Sequence, residues 1–184
     1  MDRNEQTLKV LLEEYRIVKA EQSSRIGFRD NLLYVTLGLF GAIASLALSN
    51  KNGTNAFLVI PWVCIVMGWT YVVNDEKISA IGRYVRKDLE ERISALIGGS
   101  ADSKYLFGWE TAHRNDPRRK SRKYLQLFVD LLAFVFSGLT ALLVFWLLTS
   151  QPSPLIIVVS VIEAVLLIGL GFKIAIYADL AKGH

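Results

Sequence analysis

The chain predicts an all-α, polytopic membrane protein of four transmembrane helices in two hairpins, with a cytoplasmic helical pair. Three observations predict it: apolar blocks of spanning length, a lopsided distribution of Lys and Arg, and two short connections almost free of charge. Hydrophobic residues fill 52% of 184 positions, and they are gathered in blocks, whereas a soluble domain breaks them into shorter runs. About 20 apolar residues cross roughly 30 Å of hydrocarbon at about 1.5 Å per residue. A bilayer offers no water to open backbone groups, so each block is expected to be helical.

The N-terminal segment 1–30 carries Leu8, Leu11, Leu12, Tyr15 and Val18 at three- and four-residue spacing, with charges on the other side. That is the pattern of an amphipathic helix. Its six basic residues are balanced by six acids, so it suits a protein surface better than a membrane surface, where a basic face is the rule. The first hairpin, 31–73, holds the blocks 31–49 and 56–73, and Pro61 and Gly68 are candidates to bend its second span.

The insert 74–123 opens with Asn74, Asp75 and Glu76, suited to a helix N-terminus. A stripe of Ile78, Ile81, Val85, Leu89, Ile93 and Leu96 follows, and Gly98–Gly99 is a plausible stop. This helix either continues the second span or turns away at Asn74, and its stripe is a natural mate for the N-terminal one. Tyr105, Phe107 and Trp109 are expected at headgroup level, with packing on the cytoplasmic helices as the alternative. The second hairpin, 124–178, holds two further blocks, and 179–184 is a short tail.

Segments 1–30 and 74–123 hold most of the Lys and Arg, while the connections "NKNGTN" and "SQPS" carry only Lys51 between them. Basic loops stay inside, so both termini and the insert are expected in the cytoplasm, with the chain multi-pass in its membrane. The net charge of +4 then reports topology, and nucleic acid is not the expected partner. No cleavable leader is expected, because the first 30 residues are charged and lack an early apolar core. The one cysteine, Cys64, excludes a disulfide framework or thiolate cluster within the chain.

Glu163 is the singular residue. It lies nine residues after Pro154 and fourteen before Tyr177, near the middle of the fourth block. A charge at that depth costs about 2.5–3.5 kcal/mol on insertion scales. The structural explanation is a hydrogen bond to Ser or Thr of a neighbouring helix. The functional ones are a water-filled path, a proton-coupled site or a carboxylate ring at an oligomer axis. Asp130 is the second intramembrane acid, expected near the cytoplasmic headgroups or paired with a basic residue.

Gly38 with Ala42 and Gly41 with Ser45 are small pairs four residues apart, repeated in Ser137 with Ala141 and in Ser160 with Ala164. Such pairs allow close helix approach, within a chain or between copies. Arg118, Arg119, Lys120, Arg122 and Lys123, with Trp109, are the expected headgroup contacts. Lys173 is expected to reach the cytoplasmic interface. One Glu-x-x-His, Glu110 to His113, falls short of a di-iron pair, and no phosphate loop or nucleophile elbow occurs. An enzyme is not expected, nor any cofactor or metal.

The Arg29–Asp30 pair before the first span, "NDEKISAIGRYVRKDLE", "FGWE" and the basic run together resemble an uncharacterised family of small bacterial four-span membrane proteins. In architecture the chain is also similar to membrane effectors of bacterial antiviral systems. That likeness implies spans that breach the membrane under control of a cytoplasmic partner, contacted here through 1–30 and 76–97. The expected function is a homo-oligomer that forms or gates a permeation path. The alternatives are a membrane-anchored adaptor without transport and a small proton-coupled dimeric transporter. In a Cys64→Ala background, a cysteine replacing Ser150 should react with an impermeant maleimide on intact cells. One replacing Ser121 should react only after lysis, and the opposite pattern would invert the topology.

Overall fold

The computed structural model describes residues 3–49, 53–97, 106–108 and 117–178. Among the described residues there is no strand, and four helices are long and apolar enough to cross a membrane. We number them α1 (Arg3–Ser49), α2 (Gly53–Leu96), α3 (Lys120–Leu148) and α4 (Pro154–Tyr177). The residues divide into two compact units, one from Met1–Phe28 with Asn74–Lys120, the other from Arg29–Val73 with Ser121–His184.

At two of the sequence boundaries the helix runs on without a break. The junction at 30/31 lies inside α1, which runs unbroken for 47 residues. Ion pairs of Arg16 with Glu13 and Arg25 with Glu21, at three- and four-residue spacing, support the helix through its charged stretch. Asn74 lies inside the α-helical stretch Val59–Tyr84, so the insert helix continues the second span and Asn74 caps nothing. Its side-chain oxygen instead accepts from Arg25 Nη1 at 3.4 Å. Pro61, placed in the opening of the same stretch, leaves the helix unbroken, because the first turn tolerates a missing N–H.

In the second unit all four helices supply the core. Leu32 of α1, Tyr71 and Val72 of α2, Phe134 and Val135 of α3, and Leu170 and Ile174 of α4 form one cluster. Ile43, Ile60, Cys64, Ala141, Leu142 and Leu167 form the other. Large apolar side chains cover the outside as well: Leu48 is 81% exposed, Leu147 75% and Leu155 73%. Such a surface fits hydrocarbon, not water.

Two devices shape this packing. α3 contains a π-turn, Leu132–Phe136, where the Ser137 amide and hydroxyl both donate to Leu132 O and the Cys64 thiol points at Ala133 O, 4.0 Å away. Glycines supply the close approaches. A Cβ at Gly68 would stand 2.7 Å from Leu170 Cδ2 and 2.9 Å from Phe134 Cβ, and one at Gly138 would stand 2.8 Å from Leu167 Cδ1. At the α1–α2 connection, a Cβ on Gly53 would run into the Ala47 carbonyl. α4 begins at Pro154, with Ser153 Oγ accepting from the Ile156 amide, a Ser cap followed by Pro at the first helical position.

The first unit has its own core. Leu11 of α1 is buried against Leu89 and Ile93 of α2, with Leu8, Tyr15, Tyr84 and Leu96 packed around them. Phe107 stacks on Tyr15 with ring centroids 4.3 Å apart, so this aromatic takes the alternative of packing on helices rather than the headgroup position. Tyr84 donates its hydroxyl to Glu14 Oε1. That hydrogen bond, with desolvation second, pushes the phenol above its ordinary value of 10.0.

The glycine geometry separates two classes of substitution. Gly68→Ala should destabilise by about 1–3 kcal/mol through overpacking, because Phe134 Cβ cannot swing away. Gly41→Ala, with nothing within 4 Å of the added carbon, should change stability by less than about 1 kcal/mol. Unfolding midpoints of the purified variants in mixed micelles measure both.

Candidate functional site

α4 is apolar along nearly its whole length, so its polar residues are conspicuous. Ser160 and Glu163 lie on its inward side at 4% and 0% exposure, followed by buried Leu167, Leu170 and Ile174. The inward face follows from three- and four-residue spacing of the buried positions. Neither carboxyl oxygen of Glu163 has a hydrogen-bond partner, and Ser160 Oγ has none either. The Trp62 indole is the side-chain donor that comes near the carboxylate, without reaching bonding geometry. Glu163 is therefore inside the bundle of one chain, away from any outer face, and the hydrogen-bonded Ser or Thr expected of a structural lock is missing.

Beside this pair is a groove of about 390 Å³, lined by Leu139, Leu142, Leu143 and Trp146 of α3 and by Ser160, Val161 and Ala164 of α4. Leu143 and Val161 on its rim are 59% and 57% exposed. Ser160 is its polar lining residue. Ala164 is half-buried and lets α3 and α4 approach there, so this small pair does serve packing within the chain, as does buried Ala141.

The other small pairs do not. Gly38, Gly41, Ala42 and Ser45 all lie on the exposed side of α1, and no atom comes within 4 Å of a Cβ built at Gly38 or Gly41. Close contacts inside the chain fall instead to Gly68 and Gly138. Gly138 follows Ser137 directly, and its role was hidden because a lone glycine beside a small pair carries no spacing signal of its own.

Asp130 is buried at 6% exposure and sits in a polar cluster. Gln126 Nε2 donates to Asp130 Oδ1 at 2.8 Å and to the Tyr71 hydroxyl at 2.7 Å. The Arg29 guanidinium lies 5.8 Å from the Tyr71 ring centroid and pairs with Asp30 at 3.0 Å. Gln126 was readable from its four-residue spacing to Asp130, whereas Tyr71 and Arg29 come together only through the tertiary fold. This acid is thus held by a hydrogen-bond network within the bundle.

Arg118, Lys120 and Arg122 are exposed and Lys123 half-buried; Arg119 opens the helical stretch Arg119–Leu131, its side chain being outside the description. Lys173 is exposed, with Nζ 5.8 Å from the Tyr177 ring centroid. Trp109, Glu110, His113, His184 and Gly98–Gly99 lie outside the described residues. No three His, Cys, Asp or Glu side chains among the described residues converge as a metal site would require. In comparisons with protein families, curated proteins and solved structures, nothing matches the chain.

The Asp130 network generates a stability test. Gln126→Leu removes both donated bonds and should cost about 1–3 kcal/mol, read as a lower midpoint in the same micelle unfolding assay. An unchanged midpoint would mean the cluster adds nothing to the bundle.

Proposed function

We propose that this chain is a multi-pass membrane protein that forms or gates a permeation path, with Glu163 as the group that takes up and releases a proton or a cation. The observation that carries this reading is a wholly buried carboxylate on a span-length helix with both oxygens unpartnered. An ionised acid in such surroundings is expensive unless a counter-charge is present. A proton or a cation supplies it, and either one entering or leaving changes what the bundle prefers. Buried ionisable groups on spans are functional candidates on this physical ground.

Burial inside one protomer supports a site in each bundle rather than a carboxylate ring around an axis. A homo-oligomer remains part of the proposal, since the small residues of α1 face outward and would let a second copy approach. The first unit, with Leu11, Leu89 and Ile93 at its core, would carry control by a cytoplasmic partner. The adaptor reading draws on the same unit, whose Val10 and Ile17 are 67% and 59% exposed.

Reconstituted vesicles separate these readings. With a K⁺ diffusion potential and a pH-sensitive dye inside, the wild type should pass protons faster than empty vesicles. Glu163→Gln should reduce that flux about tenfold or more while eluting at the same size. Vesicles equally tight with and without the protein would overturn the proposal and favour the adaptor.

A further inference from the structure

The groove between α3 and α4 shares Ser160 with the unpartnered pair on α4. Ser160 lines the groove while being 4% exposed. Three residues further on the same helix, Glu163 is displaced by about 4.5 Å along the axis and about 60° around it. Ser160 is the member of that pair that lines the groove, and its hydroxyl is bonded to nothing. We infer that the groove is a lateral entrance from the membrane to Glu163 and that it binds a lipophilic monovalent cation. This rests on the reading of Glu163 given above and names the ligand class.

Three features of the site select that chemistry. The first is charge: one carboxylate balances one positive charge, and no cluster of three metal-ligating side chains occurs among the described residues. The second is hydration. A bare Na⁺ or K⁺ entering here would exchange a full water shell for one carboxylate and one hydroxyl, too few oxygens for a hard cation. An organic cation with its charge spread over an apolar body gives up little hydration, and it brings surface to fill the groove. The third is the lining. Leu139, Leu142, Leu143 and Val161 match an apolar body, and Trp146 offers an aromatic face, which attracts cations once water is excluded. About 390 Å³ falls in the range of small-molecule sites, roughly 300–1,000 Å³.

The rim also fixes the route. Leu143 and Val161 are exposed on the same apolar surface as Leu147 and Val158, so a ligand dissolved among acyl chains meets the groove without first crossing water. The occupant competing for it is an acyl chain, which has no charge for Glu163 to meet and leaves the Ser160 hydroxyl unbonded.

The test uses the full chain in nanodiscs and a matched pair of probes, tetraphenylphosphonium and tetraphenylborate, alike in shape and opposite in charge. The wild type should bind the cation and not the anion, measured by equilibrium dialysis against empty nanodiscs. Glu163→Gln should weaken cation binding about tenfold or more, and Ser160→Ala about threefold. Val161→Trp, which alters the exposed rim without touching the buried acid, should block the probe while the protein keeps its elution volume and helical signal. Equal binding of both probes, unchanged cation binding in Glu163→Gln, or no binding at all would overturn the inference. The ion-flux assay contains no probe, so Glu163-dependent flux without cation binding removes this inference alone. Absent flux removes the parent reading.

Discussion

Everything in the second unit follows from having to be apolar on the outside and still keep polar atoms off that surface. Exposed Leu48, Leu147 and Leu155 leave no driving force, in hydrocarbon, for burying one aliphatic side chain rather than another. Helices in such a medium associate through close packing and internal hydrogen bonds. The close contacts at Gly68 and Gly138 and the Gln126–Asp130–Tyr71 bonds are those two forces at named positions. The Cys64 thiol turned toward the Ala133 carbonyl is a weaker instance, at the place where the π-turn shifts the ladder from its usual register.

Hydroxyl groups obey the same constraint locally. Thr36 donates to Leu32 O, Ser49 to Ser45 O, Thr70 to Val66 O and Ser137 to Leu132 O, all between 2.7 and 2.8 Å. Each returns its proton to its own helix, so none needs a neighbour. Ser160 sits in an equally regular helix and does not do so. It departs from those four, with its oxygen both buried and unbonded.

The helical class and the four span-length helices were legible because they rest on block length and composition, which need no partner to read. Helix continuity was less so. Charged residues after Val73 left open whether the helix continues or turns away at Asn74, because charge affects where a helix lies in a medium, not whether its hydrogen bonds continue. The contact face of α1 was unreadable for a further reason. Small residues four apart show that a close approach is possible, and only the fold says which faces are turned inward; buried Leu32, Thr36, Ile43 and Ala47 occupy that side, leaving Gly38 and Gly41 out. Glu163 itself was legible as an anomaly, and its missing partners were not, because they depend on what α2 and α3 present to it.

The two buried acids show why Glu163 is hard to explain as a structural element. Asp130 illustrates how this chain accommodates a carboxylate permanently: it accepts from the Gln126 amide, which also donates to the Tyr71 hydroxyl. Glu163 is more deeply buried and has no comparable arrangement. A lock between helices gains its strength from bonds made, and an acid without bonds contributes only its desolvation cost. A side chain of the same shape without charge, such as Gln or Met, would pack there at lower cost. The Trp62 indole comes near without making a bond, so little in the fold offsets that cost. That imbalance, more than the depth of the residue, is what sets Glu163 apart from Asp130.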